Sequence, residues 1–436
     1  MTDPFDSVRH WRNQRSEKGW WHSFELPDGT RIDGVNSITS LRHRIAQFPV
    51  PEDLRGKRVL DIGTWDGWFA FEMERRGAQV VAIDCWENPL FHEMHARLGS
   101  RVEYHQLDMF DLTPERIGRF DIVLFMGVLY HLKHPLLALE RVCALSTDLA
   151  CVDSFILREE HRPGERLAGR ALMEFYETNE MGGQTDNWVG PNLECLLAFC
   201  RTAGFARIEL RSVIEHSACV ACYRRWLPPA ADAPPGPRLL GTFHYDNNGI
   251  NFDSHHGDYV AVWFDGDRQP SLDSVQPQVD GFGVRPLDLV EVGEHCWQSN
   301  FRLPPGLTPG WRDVTVRLAG SLPSNALPIA IDIPPEAGPI QLTAVCDGRT
   351  FAPNRLDSRQ GRWISLWIAG LPANADRNNL RVYLDGRRLK LTHVSPGGAE
   401  PRQVNAEVPA DVAPGLAHLG VAIADQRSNV RELEIV

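Results

Sequence analysis

Long apolar segments are missing from this sequence of 436 residues. No uninterrupted apolar run reaches the roughly 18 residues that a membrane-spanning helix needs. The first residues, Met-Thr-Asp-Pro-Phe-Asp, have neither the basic region nor the apolar region of a secretory leader. We therefore expect a soluble, cytoplasmic protein without a membrane partner.

An excess of basic residues is also missing, because 45 Lys and Arg stand against 57 Asp and Glu, for a net charge of -12. Nucleic-acid-binding proteins usually carry a basic surface. No run of Lys and Arg marks a local patch. The nearest candidates, Arg9 to Lys18 and Arg42 to Arg44, are interpreted as ordinary solvated faces, so the composition disfavours nucleic acid as a partner.

The nine cysteines are odd in number and lack the spacing of a disulfide framework. This usage is typical of reduced thiols in a cytoplasmic protein. Cys219-Val-Ala-Cys222 lies in a predicted strand, where residues three apart point to opposite faces. We interpret the pair as core thiols. No other ligand cluster stands out, so no metal is predicted.

A glycine turn is the most informative motif that is present. The sequence Arg58-Val-Leu-Asp-Ile-Gly-Thr-Trp-Asp-Gly-Trp68 predicts a buried strand, a turn and the start of a helix. Two of the three glycines of the dinucleotide fingerprint are absent. Asp66 stands where a phosphate would approach, which disfavours a diphosphate and suits a cofactor with an ammonium and a sulfonium. Asp84, at the end of the next apolar strand, suits a ribose diol.

These residues resemble the class I S-adenosylmethionine (SAM) methyltransferases. Met126-Gly-Val-Leu-Tyr-His131 is similar, more narrowly, to the tRNA wobble-uridine methyltransferase-like family that makes 5-oxyacetyl or 5-methoxyuridine. The resemblance covers roughly Trp20 to Arg225. It implies SAM as cofactor and contacts to it from Asp61, Gly63, Trp65, Gly67, Asp84, Cys85, Asp108, Met109, Met126 and Gly127.

The resemblance also assigns parts of the cofactor. Asp61 and Gly63 are expected beside the methionine part, and Asp84 would accept from the ribose hydroxyls. Asp108 would accept from the adenine amine while Met109 packs on the ring. The alternative for Asp84 and Asp108 is a helix N-cap or turn role.

Methyl transfer requires alignment of the acceptor, the methyl group and the sulfur, and an oxygen or nitrogen acceptor also loses a proton. His131 is the candidate general base, since histidine titrates near neutral pH. Tyr130 is expected to line the methyl channel or simply to pack. Further candidates for substrate contact are Trp21, His22, Asp153, Glu174, Tyr176, Asn187 and Trp188.

Alternating strands and helices begin at Arg58 and predict an α/β fold with a Rossmann-like, doubly wound sheet. Expected strands span 58–63, 79–84, 102–107, 120–126 and 150–157, and a final pair, near 207–213 and 217–224, closes the sheet. Helices are expected near 66–76, 88–98, 135–145 and 192–203. The methyltransferase domain is placed at 51–226, with a lid insertion at 158–190. Residues 1–50 form a cap, with a helix before an extended segment around Trp21.

A proline-rich linker is expected at 227–238, followed by short alternating strands. Residues 300–310 match residues 405–415, and Trp263 matches Trp367 at nearly the same offset. The repeat predicts two all-β sandwich modules, 239–333 and 334–436, which resemble the immunoglobulin-like modules of bacterial surface proteins. Residues shared by both copies, such as the two tryptophans, are predicted to be core residues. The loop 253–258 occurs in one copy and would be either a metal or sugar site or a polar turn.

Three functions remain open at this point. The first is a SAM-dependent O-methyltransferase for a small molecule or a glycan, whose β-modules orient substrate, bind glycan or join copies into a homo-oligomer. The second is a tRNA wobble-uridine enzyme that uses carboxylated SAM. That family places an arginine near His216 to Cys219, where this chain has none, which favours ordinary SAM. The third is a non-catalytic SAM-binding scaffold for the β-modules.

Overall fold

The computed structural model describes residues 19–162, 164–245, 250–266, 269–333, 340–372, 375–377, 379–396, 400–423 and 426–436. The chain divides into two units, Met1–Trp226 and Leu227–Val436. The helix that we predicted before Trp21 lies outside the described residues. Within the described ranges, no helix is both long enough and apolar enough to cross a bilayer.

The first described segment forms a short hairpin and a helix. Strands β1 (Phe24–Glu25) and β2 (Arg31–Ile32) pair antiparallel, and α1 (Ile38–Ile45) follows. The Ser37 side chain caps α1 by accepting the N–H of Ser40. Leu41 and Ile45, one turn apart, bury one face of this helix against the first unit. The sequence analysis did not predict α1.

The remaining strands of the first unit include all the strands of a central sheet. They are β3 (Arg58–Ile62), β4 (Gln79–Asp84), β5 (Glu103–Gln106), β6 (Phe120–Met126), β7 (Ser146–Phe155), β8 (Met173–Phe175), β9 (Val189–Pro191), β10 (Arg207–Ile214) and β11 (Ser217–Tyr223). Seven of them form one sheet in the order β10-β11-β7-β6-β3-β4-β5. Strands β3 to β7 are parallel, whereas β11 runs antiparallel to β7 and β10. The predicted strands and the predicted closing pair are confirmed within a few residues.

Helices cover both faces of this sheet. They are α2 (Trp68–Arg75), α3 (Pro89–Leu98), α4 (Pro114–Ile117), α5 (Pro135–Leu145) and α6 (Leu193–Thr202). One apolar core lies between the sheet and the pair α5 and α6, and the other lies between the sheet and α1 to α3. Successive residues of β6 enter alternate cores, since neighbouring side chains of a strand point to opposite faces. The predicted doubly wound α/β fold is confirmed for this unit.

The predicted lid insertion, 158–190, contains the antiparallel pair β8 and β9. A small apolar core joins it to the end of β7, because Leu167, Tyr176 and Met181 pack with Phe155 and Leu157. The N–H of Trp188 donates to the carbonyl of Tyr130 at 2.8 Å, which ties the lid to the carboxyl end of β6.

The second unit begins with a β-sandwich. Its strands are β12 (Arg238–His244), β13 (Asn251–Phe252), β14 (Tyr259–Asp265), β15 (Val275–Val279), β16 (Phe282–Gly283), β17 (Val290–Gly293), β18 (Cys296–Arg302), β19 (Gly310–Leu318) and β20 (Leu327–Ile331). They form the sheets β12-β14-β18-β17 and β13-β20-β19-β15-β16. Apolar side chains of both sheets, including Val262 and Val316, make one core between them.

A second sandwich repeats this arrangement. Its strands are β21 (Gln341–Asp347), β22 (Arg355–Leu356), β23 (Trp363–Ala369), β24 (Leu380–Leu384), β25 (Arg387–Arg388), β26 (Lys390–Val394), β27 (Arg402–Glu407), β28 (Gly415–Ile423), β29 (Gln426–Arg427) and β30 (Arg431–Ile435). The sheets are β21-β23-β27-β26 and β22-β30-β28-β24-β25, with β29 on β28. A separate apolar core fills this sandwich. The immunoglobulin-like relationship of both copies stays a prediction.

One prediction about the repeat needs correction, and one alternative is decided. Trp263 and Trp367 are not core residues, because Val262 and Leu366, their neighbours in β14 and β23, point inward and turn the two indoles outward. Trp263 is 41% exposed. The loop 253–258 bonds to itself, since Asp253 accepts the N–H of His255 at 2.8 Å and Asp258 accepts the N–H of Asp253 at 2.7 Å. This geometry is that of the polar turn.

Candidate functional site

The glycine turn after β3 is held by its backbone conformation. Gly63, Trp65 and Gly67 all have positive φ, at 74°, 54° and 93°. A side chain at Gly63 would collide with Val128, which follows β6, so only glycine allows this close approach. The N–H groups of Gly63 and Thr64 donate to the carbonyl of Ile83 at the end of β4. The turn is therefore fixed at the carboxyl edge of the sheet, where open α/β folds bind ligands.

Asp84 is buried at the end of β4 and holds the turn in place. Its Oδ2 accepts the N–H of Trp65 at 3.0 Å, and its Oδ1 accepts the N–H of Trp86 at 3.1 Å. Asp84 therefore has the turn role that the sequence analysis gave as the alternative to ribose binding. Each carboxylate oxygen has a further lone pair, so the same group can also accept from ribose hydroxyls.

Asp61, at the carboxyl end of β3, is buried beside Asp84. Its Oδ2 accepts the hydroxyl of Thr64 at 2.8 Å. Burial raises the pKa of Asp61 to about 6, and the negative charge of Asp84 acts in the same direction. Two neighbouring carboxylates in this setting suit a positively charged ligand and oppose a diphosphate. The residues present therefore fit a cofactor with an ammonium and a sulfonium.

Asp66 has a different role from the one that we predicted. Its carboxylate is fully buried and accepts the N–H groups of Trp21 and His22, both at 2.9 Å, while Nδ1 of His22 pairs with its second oxygen. A buried carboxylate needs such donors. The predicted effect of Asp66 on the charge of the ligand is therefore wrong. His22, a candidate for substrate contact, is buried in this pair, and Trp21 lies partly buried next to it.

The residues expected at the adenine follow β4 and β5. Cys85 is exposed, and Met109 is buried under the edge of the sheet. Asp108 accepts the N–H of Phe110 at 2.8 Å and caps the short turn Met109–Asp111. The capping role that we gave as the alternative is thus present, and the second carboxylate oxygen is left for the adenine amine.

Met126 and Gly127 end β6 beside the glycine turn. The N–H of Gly127, at φ 76°, donates to the carbonyl of Asp153 at 2.8 Å. Tyr130 follows, and its ring meets Phe155 edge-on at 6.4 Å. Burial raises the pKa of Tyr130 to about 12, so its phenol stays protonated at neutral pH.

His131 is tied to the lid through one ring nitrogen. Its Nδ1 lies 2.9 Å from the carbonyl oxygen of Asp186, and the carboxylate of Asp186 lies 3.8 Å from the same nitrogen. A carbonyl can only accept, so Nδ1 carries the hydrogen and the lone pair of the neutral ring is on Nε2. The side chain is 35% exposed. This tautomer leaves Nε2 free to accept a proton.

Asp153, at the carboxyl end of β7, is buried and forms an ion pair with Arg44 that the sequence analysis missed, although the Arg44 side chain is 33% exposed. Nε of Arg44 lies 2.9 Å from its Oδ2. Burial raises the pKa of Asp153, and Arg44 opposes part of that rise. Arg44 lies between Leu41 and Ile45 on the buried face of α1, so its prediction as a solvated residue is wrong. The helical spacing of Leu41 and Ile45 was the available signal.

The lid candidates divide into two groups. Glu174 pairs with Arg162 at 2.6 Å, and Tyr176 is buried in the lid core, so both stabilise the lid itself. Asn187 and Trp188 directly follow the residue that binds His131. Asn187 is buried and donates to Gln184 at 2.7 Å, and the ammonium of Lys133 lies 4.0 Å above the ring of Trp188.

A cluster of Glu160, His161 and His216 has metal-ligand spacing in the described part of the chain. The N–H of Arg158 donates to Nδ1 of His161 at 2.9 Å, and Nε2 of His161 lies 3.0 Å from Nδ1 of His216. Because Nδ1 of His161 accepts, the neutral ring carries its hydrogen on Nε2 and donates it to His216. Hydrogen bonds therefore use the nitrogens that an ion would need.

Comparison with known proteins agrees with this geometry. Residues 35–154 match the model of a family described as a methyltransferase domain. The ubiquinone biosynthesis O-methyltransferase of Acinetobacter baumannii (strain ACICU) is 39% identical over 85 residues, which are 19% of this chain and 36% of the relative. The corresponding enzyme of Azotobacter vinelandii is 40% identical over 86 residues, with the same coverage. The chain spans about a third of the length of these relatives.

Solved structures are similar to this chain as well. The N-terminal domain of EvdMO1, crystallised in the presence of SAH and D-fucose, covers 51% of this chain and 97% of its own, with 21% identity and a TM-score of 0.34. The 1,6-didemethyltoxoflavin-N1-methyltransferase of Burkholderia thailandensis covers 51% and 90%, with 18% identity and a TM-score of 0.33.

The first unit thus contains a class I, SAM-dependent methyltransferase domain. The prediction of SAM as cofactor is confirmed.

Proposed function

We propose that this protein transfers the methyl group of SAM to a hydroxyl of a small molecule or a sugar. The observation that carries the proposal is the contact between Nδ1 of His131 and the carbonyl of Asp186, which leaves Nε2 as a proton acceptor after β6. The similarity over 85 residues to ubiquinone biosynthesis O-methyltransferases supports an oxygen acceptor.

The two buried carboxylates, Asp61 and Asp84, are the main residues that hold the cofactor. Asp84 accepts from the ribose hydroxyls, and Asp61 faces the positive charge of the methionine part. Met109 packs on the adenine. Asp108 accepts a hydrogen bond from the adenine amine through the carboxylate oxygen that does not bond to Phe110. When bound, SAM supplies an electrophilic methyl group.

His131 takes the proton that the acceptor hydroxyl loses. The ring then becomes positively charged, and the carbonyl and carboxylate of Asp186 stabilise that charge. A positioned base of this kind contributes about 10² to 10⁴ in rate. Tyr130 stays protonated, so it orients the acceptor as a hydrogen-bond donor and does not remove the proton.

The lid makes a second contribution by excluding water. Its backbone bond from Trp188 to Tyr130 and the stacking of Lys133 on Trp188 join it to the segment that carries His131. Water around the methyl group would compete with the acceptor, and its removal strengthens the electrostatic contacts inside. The acceptor is therefore expected between this segment and α1.

Arg44 favours a second candidate, the wobble-uridine enzyme that uses carboxylated SAM. The sequence analysis found no arginine at the expected place, yet α1 contributes a guanidinium beside Asp153. The negative charge of Asp153 raises the pKa of Arg44, so the guanidinium stays charged. A donor with an extra carboxylate would find a cation here.

Calorimetric titration with SAM and with carboxylated SAM distinguishes the two candidates. We expect tight binding of SAM, weaker binding of the carboxylated form, and a Kd for SAM about 10- to 100-fold higher in Asp84→Ala. A preference for carboxylated SAM that Arg44→Gln abolishes would replace the first candidate with the second.

The acceptor is then sought with SAM that carries a labelled methyl group. Phenols, neutral sugars and bulk tRNA are offered separately to the wild type and to His131→Gln. Label in a phenol or a sugar, lost in the variant, supports the proposal. Transfer to tRNA alone, or transfer that the variant retains in full, contradicts it. If calorimetry shows binding of neither donor, all three SAM-dependent candidates are contradicted and the β-modules remain as the functional part.

A further inference from the structure

Each of the two sandwiches carries one tryptophan, one glutamine and one asparagine on corresponding outer faces. The first has Trp263 on β14, with Gln298 and Asn300 on β18. The second has an equivalent set, Trp367 on β23 with Gln403 and Asn405 on β27. In each copy the tryptophan stands directly opposite the glutamine on the neighbouring strand. We call each set a tryptophan–amide triad.

Hydrogen bonds hold the first triad in one orientation. The indole N–H of Trp263 donates to Oε1 of Gln298 at 2.9 Å, and Nε2 of Gln298 donates to Oδ1 of Asn300 at 3.1 Å. Asn300 in turn donates to a carboxylate oxygen of Asp288 at 2.8 Å. Phe243 meets the indole edge-on at 5.5 Å. The ring is therefore fixed while 41% of its residue surface stays exposed.

The second triad has the same hydrogen bond between its two amide side chains. Nε2 of Gln403 donates to Oδ1 of Asn405 at 3.0 Å. Trp367 is half-buried, and Trp363 of the same strand and face is 49% exposed. Because the link recurs in two copies of different surrounding sequence, it is a property of the face and not of one loop.

Among the described residues, the apolar contact between the two sandwiches does not involve the triads. The sandwiches meet through their other sheets, where Trp311 and Ala330 pack with Tyr383 and Ala422. Arg388 adds an ion pair with Asp313 at 2.8 Å. The sheets that carry the triads take no part in this apolar contact.

We propose that the two triad faces bind a neutral oligosaccharide. An indole has a negative face that attracts the slightly positive C–H groups of a sugar ring. Amides both donate and accept, so they match hydroxyl groups, which do the same. The triads carry no formal charge, so an ionic ligand would have no counter-charge in them. Two similar sites on one chain also favour a ligand with repeating units. Once one unit is bound at the first site, binding of another unit at the second site is intramolecular.

Affinity electrophoresis of the full chain tests this proposal. Native gels contain hydroxyethylcellulose, galactomannan or dextran, and a gel without polysaccharide is the reference. We expect at least one polysaccharide to retard the wild type. Each of Trp263→Ala and Trp367→Ala should weaken retardation about tenfold, corresponding to the loss of one aromatic contact. The double variant should migrate as in the reference gel.

Leu416→Ala is the matched control, since Leu416 is 59% exposed and lies on β28 of the other sheet. It should migrate like the wild type. SAM binding by every variant checks that the first unit is intact, and it separates this proposal from the proposed methyl transfer. Circular dichroism melting checks that the sandwiches are folded.

Two outcomes overturn the proposal directly. One is a wild type that none of the polysaccharides retards, and the other is a folded double variant that is retarded as strongly as the wild type. Sedimentation velocity supplies a third. A dimer that the double variant converts to monomers would assign the faces to a second copy of the chain.

Discussion

The carboxyl edge of the seven-stranded sheet and the triad faces of the sandwiches differ in charge. At the sheet edge, Asp61 and Asp84 are buried carboxylates held by backbone and hydroxyl donors. On the first triad face, neutral amides hold a half-exposed indole, and on the second the two amides bond to each other. A buried charge selects a ligand of opposite charge, whereas a neutral face selects by shape and hydroxyl pattern. The two regions should therefore respond to different substitutions.

Replacement of His131 by Gln should have the largest effect. The variant loses the proton acceptor, so kcat should fall by about 10² to 10⁴ once an acceptor is known. SAM affinity and polysaccharide retardation should not change. His134→Gln, which alters an exposed histidine nearby, is the control. A His131→Gln enzyme with the wild-type rate would remove the base from the mechanism.

Replacement of Asp84 by Ala should come next. It removes charge-assisted hydrogen bonds worth about 1.5 to 3 kcal/mol, so the Kd for SAM should rise about 10- to 100-fold. Calorimetry measures this change, and Asp108→Ala should cost less because it would lose one hydrogen bond from the adenine amine, whereas Asp84→Ala would lose those from the ribose hydroxyls. Polysaccharide retardation should stay as in the wild type. A loss of both activities together would show that the two regions are not independent.

The pH dependence of SAM binding should be smaller. Burial raises the pKa of Asp61 to about 6, so this carboxylate is ionised at pH 7.5 and takes up a proton below 6. The ionised form attracts the cationic cofactor. SAM affinity should therefore fall about tenfold between pH 7.5 and 5, at 1.36 kcal/mol per unit.

Asp61→Asn provides the control for this pH series. Its SAM affinity should be low and nearly constant over the range, while polysaccharide retardation should be flat in both proteins. A wild-type affinity that does not change between these pH values would contradict the role of Asp61.

Replacement of Gln298 by Ala should have the smallest effect. Trp263 loses the hydrogen bond of its indole but keeps the ring, so polysaccharide retardation should weaken about threefold, as for one weak neutral hydrogen bond. In the second sandwich, Gln403→Ala removes the hydrogen bond to Asn405 and should have a smaller effect. An effect as large as that of Trp263→Ala would mean that the amide, and not the ring, supplies the main contact.

Local patterns predicted the sheet well. Apolar runs ending in Asp61, Asp84 and Met126, each followed by a turn, define parallel strands because both sheet faces are buried. The same reasoning placed Asp84 and His131 at one edge, since the carboxyl ends of parallel strands meet there. These features depend on residues that are close in sequence.

Contacts between distant segments were not predictable in this way. Asp66 looked like part of the glycine turn, yet its donors lie about 45 residues earlier. Arg44 looked solvated because its partner, Asp153, follows a strand far along the chain. Trp263 looked like a core residue because repetition alone does not say which face of a strand is inside. That information comes from the register with neighbouring strands.

The pairing of Asp66 with Trp21 and His22 has a consequence for the minimal enzyme. The stretch that matches the methyltransferase family begins at residue 35, downstream of all three of these donors. A fragment cut at that boundary would keep the glycine turn but leave the Asp66 carboxylate buried without them. An uncompensated buried charge costs several kcal/mol. We therefore expect the matched stretch to be less stable on its own, with the leading segment as part of its folding unit.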